Sequence, residues 1–226
     1  MRRRTLHLLF AAVFCISFAN AAEIHVPQDQ PTIQAGIAAA VNGDTVIVAP
    51  GRYVENVDFL GKAVTLRSTS PESPSIVDQT IIDGGEIGPC VSFKRGENQA
   101  SVLDGFCLTR GKAKAYLPTG MAGGGIYCMN SSPTIRGNTM KWNQADLGAG
   151  VYCGNSNASI LGNVIEHNAG GAALYCVDSS VLIDNNSIES NPAGIVLDRD
   201  GSSIVRRNYI SGNSWPGFTE ISQPWL

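Results

Sequence analysis

The chain has 226 residues, enough for one domain with a sizeable core or for one elongated stack of repeats. Its 19 acidic residues exceed its 16 basic ones, and three of the basic ones, Arg2, Arg3 and Arg4, lie in an N-terminal leader. Without the leader, 13 basic residues remain (16 less these three), so the net charge falls from −3 to −6. This charge disfavours nucleic acid as a partner, since duplex binding depends on clustered Lys and Arg.

Residues 1–21 have the features of a secretory signal peptide. The three arginines precede an apolar stretch from Leu6 to Phe18, and the small-x-small sequence at 19–21 fits a cleavage site. The apolar run is shorter than the roughly 18–20 residues that span a membrane. We therefore expect a secreted protein, extracellular or periplasmic, with no membrane span after cleavage, and a mature domain at 22–226.

Residues 31–42 predict a helix that caps the mature domain. Ile33, Ile37 and Val41 fall on one helical face, and Asn42-Gly43 is a stop signal. Such a helix would cover the open end of the strands that follow, where apolar core and unpaired strand edges are otherwise exposed.

Short strands are predicted through the rest of the first half, at 45–48, 63–66, 80–82 and 101–103. Asp83 and Asp104 lie 21 residues apart, and each precedes a glycine. We interpret these two acids as turn residues one repeat apart rather than as an active-site pair.

The second half repeats every 22–25 residues. Four asparagines mark the repeat, and each is followed five residues later by another; the pairs are Asn138 and Asn143, Asn163 and Asn168, Asn186 and Asn191, and Asn208 and Asn213. The segments between them are short, alternate in polarity and are separated by Gly, Asn, Ser and Pro, which indicates strands and turns.

Repeats of this length without an internal helix predict an all-β solenoid, a single-stranded parallel β-helix. Each strand would pair with its equivalent one coil further on, about 4.8 Å away. We expect eight or nine coils between about 44 and 213, followed by a short C-terminal tail. Rows of asparagine suit the turns, because Asn tolerates left-handed backbone and its amides bond along a row.

The sequence Gly-[Ile/Val]-Tyr-Cys at 125–128 and 150–153 recurs as Ala-Leu-Tyr-Cys at 173–176. Alternation places Cys128, Cys153 and Cys176 in the core, and the tyrosines Tyr127, Tyr152 and Tyr175 on the outside. The mature chain has five cysteines without CxxC spacing, so we expect stacked thiols rather than disulfides or a metal site. The tyrosine row predicts a sugar-binding surface, and the alternative is that the rings stack on one another and stiffen the wall.

A family resemblance rests on PTIQAGIAAAVNGDTVIVAPGRYVENV at 31–57, TIIDGG at 80–85, SVLDGFCLTRG at 101–111 and the repeated Tyr-Cys. From about Glu23 to Asn213 the chain resembles secreted pectin-lyase-like right-handed parallel β-helix proteins with PbH1-type repeats. The resemblance implies a right-handed β-helix. It does not select an activity, because this fold carries lyases, hydrolases, esterases, epimerases and adhesive proteins.

Individual enzyme motifs of these families are largely missing. Gly51 to Glu55 resembles the G-x-Y-x-E motif of pectin methylesterases, but no later stretch matches their Gln- and Asp-bearing signatures. The motif set of polygalacturonases has no counterpart. The sequence at 198–201 lacks the ligands and spacing of a Ca²⁺ loop, so we expect a solvated turn and no cofactor, with a Ca²⁺ site as the alternative.

The strongest acidic candidate is an outward row of the repeat. Glu166 and Glu189 would lie one strand spacing apart, close to the carboxylate separation in retaining glycosidases, with Lys141 alongside. The next row contains Trp142 and His167, which we add to the ligand-binding candidates. The alternative is that Lys141 and Glu166 form an exposed ion pair on a solvated face.

Two functions follow from these observations. The first is an extracellular carbohydrate-binding or surface-structural protein without an assembled catalytic site, with a polysaccharide or cell-surface glycan as partner. The second is a polysaccharide lyase or glycoside hydrolase that acts along one wall of the β-helix.

Overall fold

A computed structural model describes residues 21–221 except positions 114, 118, 119, 200 and 216. The predicted signal peptide lies outside the described residues apart from its last position, as does the end of the C-terminal tail.

Three parallel sheets take strands from the chain in turn. Sheet A consists of Glu23–Val26, Thr45–Val48, Thr65–Ser68, Val102–Asp104, Thr134–Arg136, Ser159–Leu161, Leu182–Asp184 and Ile204–Arg206. Sheet B consists of Gly51–Val54, Thr80–Asp83, Cys107–Thr109, Thr139–Lys141, Val164–Glu166, Ser187–Glu189 and Tyr209–Ser211. Sheet C consists of Val57–Asp58, Val91–Phe93, Ile126–Met129, Val151–Gly154, Ala172–Val177, Ala193–Asp198 and Phe218–Ile221.

Each coil passes through sheets C, A and B before it returns to sheet C. The strand Val151–Gly154 pairs in parallel with Ile126–Met129, its equivalent one coil earlier. The strands of each sheet make about seven coils, which confirms the predicted parallel β-helix.

The expected number of eight or nine coils was too high, because two coils of the first half are longer than the later repeat. At one corner, 32 residues separate Phe106 from Asn138, whereas the following steps are 25, 23 and 22 residues. Part of the extra length forms an antiparallel ribbon of Ala115–Leu117 with Gly120–Ala122, and a second insertion in the first half is helix α2, Pro74–Gln79. A short parallel pair, Gln144–Ala145 with Ala169–Gly170, follows sheet B.

The predicted N-terminal helix is present as α1, Ile33–Ala39, and buries Ile33 and Ile37 against the first coils. It is shorter than predicted, and Val41 is 63% exposed. Coil side chains hold both helix ends. The Glu55 carboxylate accepts hydrogen bonds from the backbone of Ile33 and Gln34, while the Lys62 ammonium donates to three C-terminal carbonyls. Glu55, which carried the methylesterase resemblance, therefore has a structural role here.

Two buried asparagine ladders join successive coils. In the ladder from Asn138 to Asn208, each side-chain amide donates to the side-chain oxygen of the next, at 3.1, 3.0 and 2.9 Å. The ladder from Asn143 to Asn213 repeats this at 3.1, 3.0 and 3.2 Å. The predicted stacking is confirmed, but the left-handed backbone falls on the residue before each asparagine, such as Gly137 and Gly162.

The five described cysteines are free and buried, as predicted. Cys128, Cys153 and Cys176 are in register on the inner face of sheet C, and the same row continues with Phe93 before them and Leu197 after them. The five cysteines do not all occupy one repeat position. Cys107 pairs in register with Thr139 of sheet B, beside the inward Leu108, and is therefore not part of this row.

Candidate functional site

The corner after sheet B is a column of left-handed residues. Arg110, Trp142, His167, Ser190 and Gly212 succeed one another coil by coil, with φ between 53° and 63°. Gly212 adopts this conformation without steric cost, whereas a residue with a Cβ pays roughly 1–2 kcal/mol. The backbone of this turn therefore accepts glycine and does not require an aromatic side chain.

Trp142 and His167 form an aromatic pair on this corner, which we call the Trp142 platform. Their ring centroids are 4.9 Å apart and their planes are tilted by 28°. Trp142 is 61% exposed. His167 Nδ1 lies 3.6 Å from Glu166 Oε2, so three residues predicted separately from the sequence are brought together here.

A recess of about 260 Å³ adjoins the Trp142 platform and is lined in part by Glu86, Arg110 and Lys112. Arg110 is held by two carboxylates, with its Nη1 3.5 Å from Asp83 Oδ2 and its Nη2 3.4 Å from Glu86 Oε1. The recess thus combines an aromatic wall with hydrogen-bond donors and an acceptor.

Sequence reasoning missed Arg110 because the repeat was aligned only from Asn138 onward. Gly111 N donates to Asn143 Oδ1 at 2.8 Å, so residue 111 occupies the ladder position one coil earlier. Aligning Gly111 with the asparagines would have placed Arg110 in the column of Trp142.

The candidate catalytic residues lie in one outer row of sheet B. Lys141, Glu166 and Glu189 are in register on successive strands. Their side chains have different partners. Lys141 Nζ lies 3.7 Å from Asp78 Oδ1 of α2, so Lys141 pairs with Asp78 and not with Glu166 as the alternative interpretation held. Glu189 accepts a hydrogen bond from the Ser187 hydroxyl at 2.6 Å.

The tyrosine row lies on the outside of sheet C, with its rings stacked on one another. Ring centroids are 5.7 Å apart for Tyr127 and Tyr152, and 6.2 Å apart for Tyr152 and Tyr175. Tyr152 is only 2% exposed, so its ring faces are not available to a sugar. Burial raises the pKa of Tyr152 to about 12, so the hydroxyl stays protonated at neutral pH. Tyr152 therefore fits the alternative interpretation, in which the rings stack on one another and stiffen the wall. Sugar binding by the tyrosine row stays a prediction.

Among the described residues, no group of three or more His, Cys, Asp or Glu side chains is arranged to hold a metal ion. No helix in the described part of the chain is long and apolar enough to cross a membrane.

The three stacked parallel sheets and their side-chain ladders define a parallel β-solenoid protein. Residues 119–223, a little under half of the chain, match the family model described as right handed beta helix region. The chain therefore has the fold of a right-handed parallel β-helix, which is consistent with PbH1-type repeats. No curated protein and no solved structure matches it.

Proposed function

We propose that the mature chain is an exported, non-catalytic carbohydrate-binding protein, with the β-helix as a rigid scaffold and the Trp142 platform as its sugar contact. The observation that carries the proposal is a mostly exposed tryptophan in a left-handed turn. Both features are unfavourable for the isolated fold, and glycine fills the equivalent position at Gly212. Binding of a ligand to the exposed indole would explain why tryptophan is found at this position.

The surroundings of Trp142 suit a sugar ring. An indole offers a large apolar face to the C–H groups of a pyranose, and the stacking on His167 holds it in place. Arg110 and Lys112 can donate hydrogen bonds to hydroxyl oxygens, and Glu86 can accept them. A small number of polar groups around an apolar contact is typical of ligand sites.

Binding of the mature protein to immobilised uronic-acid and neutral polysaccharides tests this proposal. We expect retention on at least one of them and a loss of about tenfold in affinity for Trp142→Ala, equivalent to about 1.4 kcal/mol. Trp215, which is 73% exposed, provides the matched control. Trp215→Ala should bind like the wild type, and equal losses in the two variants would contradict the role of Trp142.

The second candidate function is polysaccharide cleavage along sheet B, favoured by the register of Glu166 with Glu189. In-register neighbours lie about 4.8 Å apart, close to the roughly 5–5.5 Å of retaining glycosidases. The same polysaccharides should be assayed for new reducing ends and unsaturated products. Products that disappear in Glu166→Gln would establish this function and overturn the non-catalytic one. If neither binding nor products were found, the carbohydrate proposal would fail and a surface-structural role would remain.

A further inference from the structure

A second recess lies on the outside of sheet C, around a glycine. Met129, Gly154, Val177 and Asp198 succeed one another in register on four strands. Gly154 alone has no side chain, and the space above it belongs to a recess of about 260 Å³. We call this the Gly154 recess. It is lined by the four residues in register and by Tyr152, Tyr175, Leu147, Asp178 and Arg199.

The backbone does not require glycine at this position. Gly154 is not among the residues with positive φ, and it lies within a regular strand. Glycine weakens a strand interior and is found where a ligand or another chain approaches closely. A Cβ added here would lie 2.8 Å from Met129 Sδ and 3.0 Å from Tyr152 Oη, so a side chain would occupy the recess.

Charges in the recess are not balanced. Arg199 is bidentate on Asp178, at 2.8 and 2.9 Å, and only its Nη1 approaches Asp198 Oδ2, at 3.5 Å. The Asp198 side chain is 17% exposed and accepts a hydrogen bond from Tyr175 Oη at 2.9 Å. Burial, and then this hydrogen bond, raises the pKa of Tyr175, so Tyr175 remains a donor. One guanidinium therefore faces two carboxylates, and the less exposed carboxylate has the longer ion-pair distance.

We infer that the Gly154 recess binds a sugar ring that carries an ammonium group, a hexosamine, with the ammonium at Asp198. The volume is below the roughly 300 Å³ at which drug-sized pockets begin, which suits a single ring. Met129, Leu147 and Val177 provide the apolar contact, and an added cation compensates the second carboxylate. A uronate would place a third carboxylate beside Asp178 and Asp198. The choice of a sugar rests on the proposed function; the preference for a cation rests on the recess itself.

Ligand-observed NMR titrations with glucosamine, glucose and glucuronate test this inference, at about pH 6, where an amine is protonated. We expect the affinity to fall in that order, with at least about a tenfold difference between glucosamine and glucuronate. Asp198→Asn keeps the size of the side chain and removes its charge, so it should abolish the preference for glucosamine over glucose. Equal affinities for the three sugars, or an unchanged preference in Asp198→Asn, would overturn the inference.

Gly154→Val tests the location. The new side chain is the same as that of Val177 on the next strand, and the atoms nearest to its Cβ are the ends of the Met129 and Tyr152 side chains. We therefore expect folding with a loss of at least about tenfold in glucosamine affinity. Trp215→Ala removes an exposed ring that does not line this recess and should bind glucosamine like the wild type. Loss of glucosamine binding in Trp142→Ala with retention in Gly154→Val would assign the sugar to the Trp142 platform instead. If the protein is retained on no polysaccharide but still binds glucosamine, the proposed function is refuted and the inference about the Gly154 recess is supported.

Discussion

Replacing Asn163 with alanine should destabilise the solenoid severely, because this side chain is an interior member of a buried ladder. Its Oδ1 accepts hydrogen bonds from Asn138 N at 3.0 Å and Asn138 Nδ2 at 3.1 Å. Its Nδ2 donates to Ile135 O and to Asn186 Oδ1, both at 3.0 Å. Asn163 is 1% exposed, so water cannot replace these partners.

The magnitude follows from the partners that remain. Asn138 Nδ2 still donates to the carbonyls of Leu103 and Arg136, and Asn186 Oδ1 still accepts from residue 163 N. The Asn138 backbone N–H loses its partner in the interior, which costs about 1–3 kcal/mol. The other three bonds contribute about 0.5–1.5 kcal/mol each, so we expect a loss of about 4 kcal/mol in the free energy of unfolding.

Urea unfolding followed by circular dichroism measures this loss. With a slope of roughly 2 kcal/mol per molar urea, the midpoint should fall by roughly 2 M. Asn208→Ala is the matched control, since Asn208 lies at the end of the ladder, is only partly buried and makes three of these bonds, so about 1–2 kcal/mol is expected. A loss below about 1 kcal/mol for Asn163→Ala, or equal losses in the two variants, would refute the ladder as the source of stability.

Three further predictions concern thiols, pH and the Trp142 turn. All five described cysteines are free and buried, and burial raises the pKa of Cys90 to about 12. None of them should therefore react with a thiol reagent before unfolding, and all five should react in urea. Rapid labelling of the native protein, or a disulfide in the intact mass, would contradict this. The hydrogen bond from Arg207, followed by that from Arg206, holds the pKa of Asp184 below its usual value. Because the folded pKa is depressed, this contribution is present above the unfolded value of about 4 and is lost as the pH falls through the folded pKa. Asp184→Asn should therefore flatten the decline of the urea midpoint on acidification below about pH 4, and an unchanged slope would exclude the ion pair as a cause. Trp142→Gly relieves a left-handed residue but loses the stacking on His167, so the free energy of unfolding should change by less than about 1 kcal/mol; a larger loss would make Trp142 a structural residue.

The ladders and the core rows could be predicted from the sequence because the β-helix turns chain spacing into stacking. Asn138 and Asn163 are neighbours in space because they occupy the same place in successive coils. The same reasoning placed Cys128 beside Cys153 and Glu166 beside Glu189.

The left-handed column could not be predicted from residue type. Tryptophan rarely adopts positive φ, so the chemistry of Trp142 did not identify this corner as the turn. The partner of Lys141 was hidden for another reason. Asp78 belongs to α2, an insertion outside the repeat, and its position over sheet B depends on tertiary packing.

The tyrosine row shows a limit of alternation. Alternation places Tyr152 on the outer face of sheet C, but the rings before and after it cover its faces. Facing outward and being exposed are different properties wherever a side chain has an identical neighbour about 4.8 Å away.

Oxidative footprinting of the two described tryptophans, with and without a retained polysaccharide, tests the central claim most directly. Mass spectrometry of the peptides reports Trp142 and Trp215 in the same sample, and both are well exposed in the free protein. Our account predicts that saturating polysaccharide protects Trp142 while oxidation of Trp215 is unchanged. Equal oxidation of Trp142 with and without the bound polysaccharide would contradict it.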